Sequence, residues 1–270
     1  MHSVRCSPTT LLLALTFVFS ACSDRGERPL QDLAAPPNGQ SVGALLWFQT
    51  SAEAQALYYQ AYALARLRLI EALREPRSKQ PAVVVDIDET LLDNSPHQAR
   101  LIETGQTFPA FWDEWIERAD ARALPGAAEF LRFADSNGVA VFYVSNRDAK
   151  MLDATVRNLE RRNFPQLTPD KILLRTTESS KTSRRASIAQ QYDILLLIGD
   201  NLNDFSEVFE GLEQAQRSSA AERMRELFGK RFIVLPNPFY GDWENAVFGY
   251  RRDLSPSEKD RLRIGALRGF

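Results

Sequence analysis

Carboxylates stand at short spacing in two places along the chain. Asp86 and Asp88 follow three valines in VVVDIDET, and Asp200 and Asp204 open and close a short polar run in GDNLND. Two unit charges 4 Å apart at an effective dielectric near 20 repel by roughly 4 kcal/mol. Four acids brought to one place would therefore need a cation among them. An all-oxygen donor set selects a hard ion, and a small carboxylate set that leaves room for other ligands favours Mg²⁺ over Ca²⁺. His2 and His97 are the only histidines and do not form a pair with metal-ligand spacing, so a zinc site is not expected.

The elements around these residues decide whether they meet. Nearly unbroken apolar runs at residues 83–87, 139–145, 171–175, 194–200 and 232–236 read as strands. Helical patterns cover about 44–74, an insert at about 96–121, 126–136, 149–163 and 181–191. Apolar strands alternating with helices indicate an α/β fold with a parallel sheet covered on both faces. In such sheets ligands bind beyond the carboxyl ends of the strands, near a topological switch point. Asp86 and Asp88 end the first strand, Ser145-Asn146-Arg147-Asp148 the second, and Asp200 the fourth, with Asp204 close behind. Lys181 lies in the connection after the third strand. Along a strand successive side chains point to opposite faces, so Asp86 and Asp88 can cooperate only where the strand ends and turns.

Each residue also has a plainer reading. Asp204 could sit at a helix N-terminus, where the dipole favours an acid. Lys181 could be solvated within the polar run TTESSKTSRR, and Asp93 and Asn94 read as turn or capping residues. At their spacing, Phe108, Phe111, Trp112 and Trp115 of the insert should mostly be core.

The composition is that of an ordinary globular protein: 270 residues, 44% hydrophobic, 25% charged, net charge −2. That suffices for one large core and lacks the basic excess of a nucleic-acid binder, so no nucleic-acid partner is expected. Residues 1–21 read as a secretory signal: Arg5 precedes the apolar run 11–19, and small residues lead to Cys22. The expected organisation is a signal over 1–21, a polar tether over 22–42 and one domain over 43–270.

The segments DIDETLLDNS, FWDEW, ALPGAAEF, FYVSNRD, GDNLNDF and LPNPFYGDWE carry a resemblance. Together they resemble the class C non-specific acid phosphatases, lipoprotein enzymes of the haloacid dehalogenase (HAD) superfamily, from about Trp47 to near residue 250. The resemblance implies a HAD-like Rossmannoid sheet with an N-terminal helical segment and a small helical cap insert. It implies hydrolysis of small phosphomonoesters, among them nucleoside monophosphates, through an aspartyl phosphate on Asp86, with Asp88 as acid and base. Mg²⁺ would be held by the Asp86 carboxylate, the Asp88 backbone carbonyl and Asp200, with Asp204 in support. Ser145, Asn146 and Lys181 would meet the phosphate, and Phe108 and Tyr240 would flank a substrate ring. The SAC ending before Ser23 resembles a lipoprotein processing site, with Phe19 where leucine is usual. It implies lipidation at Cys22, export and anchoring to the bacterial outer membrane, and family members are often homodimers. The same residues would serve a phosphotransferase, and the rival from another class is a non-catalytic surface-binding lipoprotein.

Overall fold

The computed structural model describes residues 41–270, so Phe19, Cys22 and all but the end of the tether lie outside the described residues. In chain order the strands are β1 (Gln80–Val85), β2 (Leu92–Asp93), β3 (Arg122–Ala123), β4 (Ala140–Asp148), β5 (Ile172–Arg175), β6 (Tyr192–Gly199) and β7 (Phe232–Val234). Five of them form a parallel sheet in the order β5-β4-β1-β6-β7. The chain moves outward from β1 through β4 to β5, then crosses to β6 and β7 on the other side. The central strand is therefore flanked at the switch point, where a crevice opens at the carboxyl edge.

The helices are α1 (Val42–Thr50), α2 (Ala52–Leu73), α3 (Ser95–Thr104), α4 (Trp112–Arg118), α5 (Ala127–Ser136), α6 (Leu152–Arg161), α7 (Thr182–Gln191), α8 (Gln214–Arg223), α9 (Asp242–Val247) and α10 (Pro256–Gly265). Strand periodicity sorts the core into two layers. Val83 and Val85 of β1 point to the layer built with Tyr58, Tyr62 and Leu69 of α2, Leu131 of α5 and Leu159 of α6. Ala82 and Val84 point to the other, with Ile188 of α7, Phe205 and Phe232. No helix among the described residues is long and apolar enough to cross a membrane.

The elements differ from the sequence reading in several places. The helix expected over 44–74 is two, because Ser51 is extended and its hydroxyl caps α2 by accepting from the Ala54 N–H at 3.0 Å. β1 stops at Val85, two residues early, although the Asp86 N–H still donates to Ile198 O at 2.9 Å. Beyond it the N–H groups of Leu91 and Leu92 fold back onto Ile87 O, and Glu89 takes a positive φ of 54°. The antiparallel pair β2–β3, which carried no apolar run to reveal it, closes the base of the insert that holds α3 and α4. Tyr58 and Tyr62 of α2 donate to the backbone carbonyls of Glu89 and Thr90, so α2 braces the strained turn from behind.

Candidate active site

The turn after β1 and the ends of β4 and β6 bring the sequence-selected acids together. Asp86, Asp200 and Asp204 each offer an oxygen to one cluster, all within 4.8 Å of one another. Asp204 reaches it because Gly199 has no side chain: a Cβ there would sit 2.6 Å from the Asp204 Cβ. Lys181, at the N-terminal end of α7, enters from the opposite side. Its ammonium donates to Asp86 Oδ1 and, at 2.6 Å, to Asp204 Oδ1. All three side chains are buried. Burial works against the Lys181 charge, but Asp204 and Asp86 outweigh it and hold the ammonium's pKa up.

One lysine does not balance three acids. Burial pushes the Asp86 carboxyl up to about 7, with Lys181 opposing and Asp204 and Asp88 adding to the rise. Asp200 is raised well above the carboxylate range by burial, Asp204 and Asp86, although Asn237 Nδ2 donates to it at 2.8 Å. The Thr90 hydroxyl lies 3.4 Å from both Asp86 and Asp200. This excess of buried acid oxygens over cations fits a divalent ion of the hard, oxygen-seeking kind.

Asp88 faces elsewhere. Arg147, buried at the end of β4, donates to Asp88 Oδ1 from Nη2 at 2.8 Å and from Nε at 2.9 Å. Asn94 Nδ2 donates to the same oxygen at 2.7 Å, and the Ser145 hydroxyl donates to Oδ2 at 3.3 Å. Ser145 Oγ also accepts the Arg147 N–H at 3.1 Å. Asn146 is exposed, its side-chain oxygen accepting from Arg184 Nη2 at 2.6 Å. Arg184 Nη1 donates to Ser145 O at 2.7 Å, so one arginine of α7 steadies both strand-end residues.

Tyr240 lies in the loop after β7, with its hydroxyl donating to Glu89 Oε2. Glu89 is wholly buried, and burial, reinforced by Asp88 and Asp200, holds its pKa well above the carboxylate range. The Tyr240 ring meets Phe239 edge-on at 5.4 Å, and Trp243 Nε1 donates to the Tyr240 carbonyl at 3.2 Å. Phe108 is 63% exposed and touches Trp112 edge-on at 5.8 Å.

Several plainer readings give way. Lys181 is buried and paired rather than solvated. Asp204 plays both parts proposed for it: Oδ2 accepts the Asn201 N–H at 3.0 Å within a capping box, while Oδ1 meets Lys181. Asn94 sits at the N-cap of α3 without capping it, because its side chain is spent on Asp88. Of the four insert aromatics none is fully buried: Phe108 is exposed and Phe111 half-buried, while Trp112 and Trp115, also half-buried, pack against Ile116 and Met151, and Trp115 against the main core as well. Sequence reasoning missed the roles of Arg147, Asn94, Thr90 and Asn237. Arg147 and Asn237 do sit at strand carboxyl ends, a signal that was present, but no residue type marks Thr90 or Asn94 as a partner of an aspartate.

The chain matches the description "HAD superfamily, subfamily IIIB (Acid phosphatase)" across residues 32–243. It belongs to that family of phosphomonoesterases. It is similar to the class C acid phosphatase from Bacillus anthracis, at 46% identity and a TM-score of 0.85, covering 87% of this chain and 99% of the other. A second structure of that enzyme, with tungstate bound, matches at 46% identity and a TM-score of 0.84, covering 86% and 98%. The stem 28 kDa glycoprotein of Glycine max is 27% identical over 131 residues, 45% of this chain and 51% of that protein. The chain thus spans about half the length of the curated soybean relatives it matches.

Proposed function

We propose that this protein is a Mg²⁺-dependent phosphatase for small phosphomonoesters, nucleoside monophosphates among them, working through an aspartyl phosphate on Asp86. The observation that carries the reading is the division of labour between two aspartates two residues apart. Asp86 lies among Lys181, Asp200 and Asp204, whereas Asp88 is held apart from them by Arg147 and Asn94. An Asp86 oxygen attacks phosphorus while Asp88 gives a proton to the departing ester oxygen. Asp88 then takes a proton from the water that releases phosphate from Asp86.

Lys181 already bridges Asp86 and Asp204, so it lowers the repulsion that a phosphate dianion would meet at the nucleophile. Asp86, the Asp88 carbonyl and Asp200 would hold Mg²⁺, with Asp204 in support. The ion supplies charge neutralisation of the phosphoryl oxygens when bound. The Ser145 hydroxyl, which donates to Asp88 Oδ2 at 3.3 Å, would turn to a phosphate oxygen, and Asn146, engaged by Arg184 through its side-chain oxygen, would contribute its backbone N–H. Tungstate bound to the Bacillus enzyme is a tetrahedral oxyanion of the same shape class as phosphate, which supports an anion site in this fold.

Phe108 and Tyr240 are proposed to flank the substrate ring. Exposure of Phe108 leaves its face free for stacking, and the Glu89 contact pins the Tyr240 ring by its edge. The reading extends to lipid anchoring of an exported protein at Cys22, on the outer membrane, and to a homodimer. Hydrolysis of p-nitrophenyl phosphate by the purified protein, with EDTA and after Mg²⁺ is restored, tests the central claim. Activity that is absent in both conditions, or indifferent to EDTA, rejects it.

A further inference from the structure

The two oxygens of Asp88 have unequal surroundings. Oδ1 accepts three N–H donors: Arg147 Nη2 at 2.8 Å, Arg147 Nε at 2.9 Å and Asn94 Nδ2 at 2.7 Å. Oδ2 has only the Ser145 hydroxyl and a longer approach of Arg147 Nε, both at 3.3 Å. A carboxylate offers about four lone-pair directions over its two oxygens, so three donors leave no place on Oδ1 for a proton. The donors are themselves fixed. Arg147 is 2% exposed, and its remaining nitrogen, Nη1, donates to Thr155 Oγ1 at 3.2 Å. The Asn94 carbonyl accepts from Trp115 Nε1 of α4 at 2.8 Å, which settles the orientation of the amide.

We propose that Arg147 and Asn94 are positioning residues that clamp Asp88 by Oδ1, so that Oδ2 is the oxygen that exchanges the proton with the ester oxygen and with water. This rests on the acid and base role of Asp88 stated above. In the first step an Asp86 oxygen forms a bond to phosphorus. The bond from phosphorus to the ester oxygen breaks, its electron pair stays on that oxygen, and the proton on Asp88 Oδ2 is transferred there. Asp88 becomes a carboxylate whose new charge faces the guanidinium at Oδ1. In the second step the oxygen of a water forms a bond to phosphorus, the bond from phosphorus to the Asp86 oxygen breaks with its electron pair returned to the Asp86 carboxylate, and a proton of that water passes to Oδ2. The clamp also links the insert to the chemistry, because Trp115 holds Asn94 and Asn94 holds Asp88.

A buried arginine–carboxylate fork could equally serve only to tie the end of β4 to the turn after β1. The two roles differ in their dependence on the leaving group. kcat/KM covers the steps through departure of the ester oxygen. p-Nitrophenolate departs without a proton, whereas an alkoxide needs one. Arg147→Met should therefore lower kcat/KM for ethyl phosphate by about 10²-fold, the usual scale of a displaced general acid, and that for p-nitrophenyl phosphate by under about tenfold. Asn94→Ala should move the ratio the same way by less. Arg147→Lys, which keeps the charge and loses the fork, should recover part of it. Each ratio is taken on one sample, so the folded fraction cancels, and the two milder variants serve if Arg147→Met does not fold. Equal losses on both substrates overturn the clamp. Asp88→Asn, run alongside, separates the failures. A leaving-group effect there without one in the Arg147 and Asn94 variants rejects the clamp alone. No effect there rejects the acid role, and the clamp with it.

Discussion

Asp86 and Asp88 stand two residues apart and live in opposite environments. Around Asp86 there are more acids than cations: Lys181 pairs with Asp86 and Asp204, while Asp200 has only the Asn237 amide and the Thr90 hydroxyl beside it. Around Asp88 the count is satisfied, with an arginine fork, an amide and a hydroxyl on one carboxylate. A shortage of positive charge makes the first half a place for a cation to complete. In the second half Oδ1 of Asp88 is saturated by three donors, which hold the carboxyl in a fixed direction and leave Oδ2 the more open oxygen. The turn that begins with them sends the chain from the carboxyl end of β1 toward the insert, at the cost of a positive φ at Glu89 just after Asp88.

The largest effect is expected on the first half. Asp86→Asn should keep the fold yet lose about 10³-fold or more in turnover, the scale on which lost nucleophiles are felt, because an amide does not form the acyl phosphate. Residual activity above a few per cent of wild type, with the contaminating host phosphatase excluded by an Asp86→Asn/Asp200→Asn double variant, would remove Asp86 from the nucleophile role.

A smaller effect is expected where the two halves meet a substrate ring. Tyr240→Ala removes a stacking face and the hydroxyl bond to Glu89. Stacking is worth roughly 1–3 kcal/mol per base, so kcat/KM for adenosine monophosphate should fall about 5- to 100-fold, and that for a small aliphatic phosphate by much less. Tyr240→Phe, which keeps the ring, should retain most of the preference. Equal losses for both substrates would make the tyrosine a brace for Glu89 and nothing more.

The smallest effect is on stability and sharpens the contrast of charge. Asp86, raised to about 7, and Asp200, raised in the same direction, bind protons in the folded state at pH values where the unfolded chain has released them. Their contribution is therefore most favourable below the ordinary carboxylate range and is lost as pH rises toward 7. Metal-free protein should lose a few degrees of melting temperature from these groups between pH 5 and 7.5. Mg²⁺ at about 100 times its dissociation constant adds about 2.7 kcal/mol, or roughly 5–10 °C for a domain of this size. At one fixed Mg²⁺ concentration the gain should be larger at pH 7.5, where fewer protons have to be displaced. Thermal melts at the two pH values, with EDTA and with Mg²⁺, measure it. A Mg²⁺ shift that is equal at both values, or larger at pH 5, would mean that the acid cluster is already ionised.

Much of the site is determined by the sequence alone. A β-branched run that stops at an acid must place that acid at a strand end, since a charge inside the sheet would be buried without partners. That logic locates Asp86, Ser145 and Asp200 on one edge before any coordinates. The strand after residue 194 and the loop carrying Tyr240 were legible for the same reason. The helices α8, α9 and α10 were not, because α8 buries only Arg217 and Ala220, α9 only Ala246 and α10 no residue, which leaves no apolar stripe to read.

Only the tertiary structure decided which partner each acid receives. Arg147 meets Asp88 across 59 residues, Lys181 meets Asp86 across 95, and Tyr240 meets Glu89 across 151. Charge and hydrogen-bonding groups act over a few ångströms, and sequence separation carries no information about which of several arginines comes that close. The order of the strands supplies it. By placing β4 and β6 on either side of β1, the sheet gives Asp88 the arginine at the end of one neighbour and leaves Asp86 facing the acids at the end of the other.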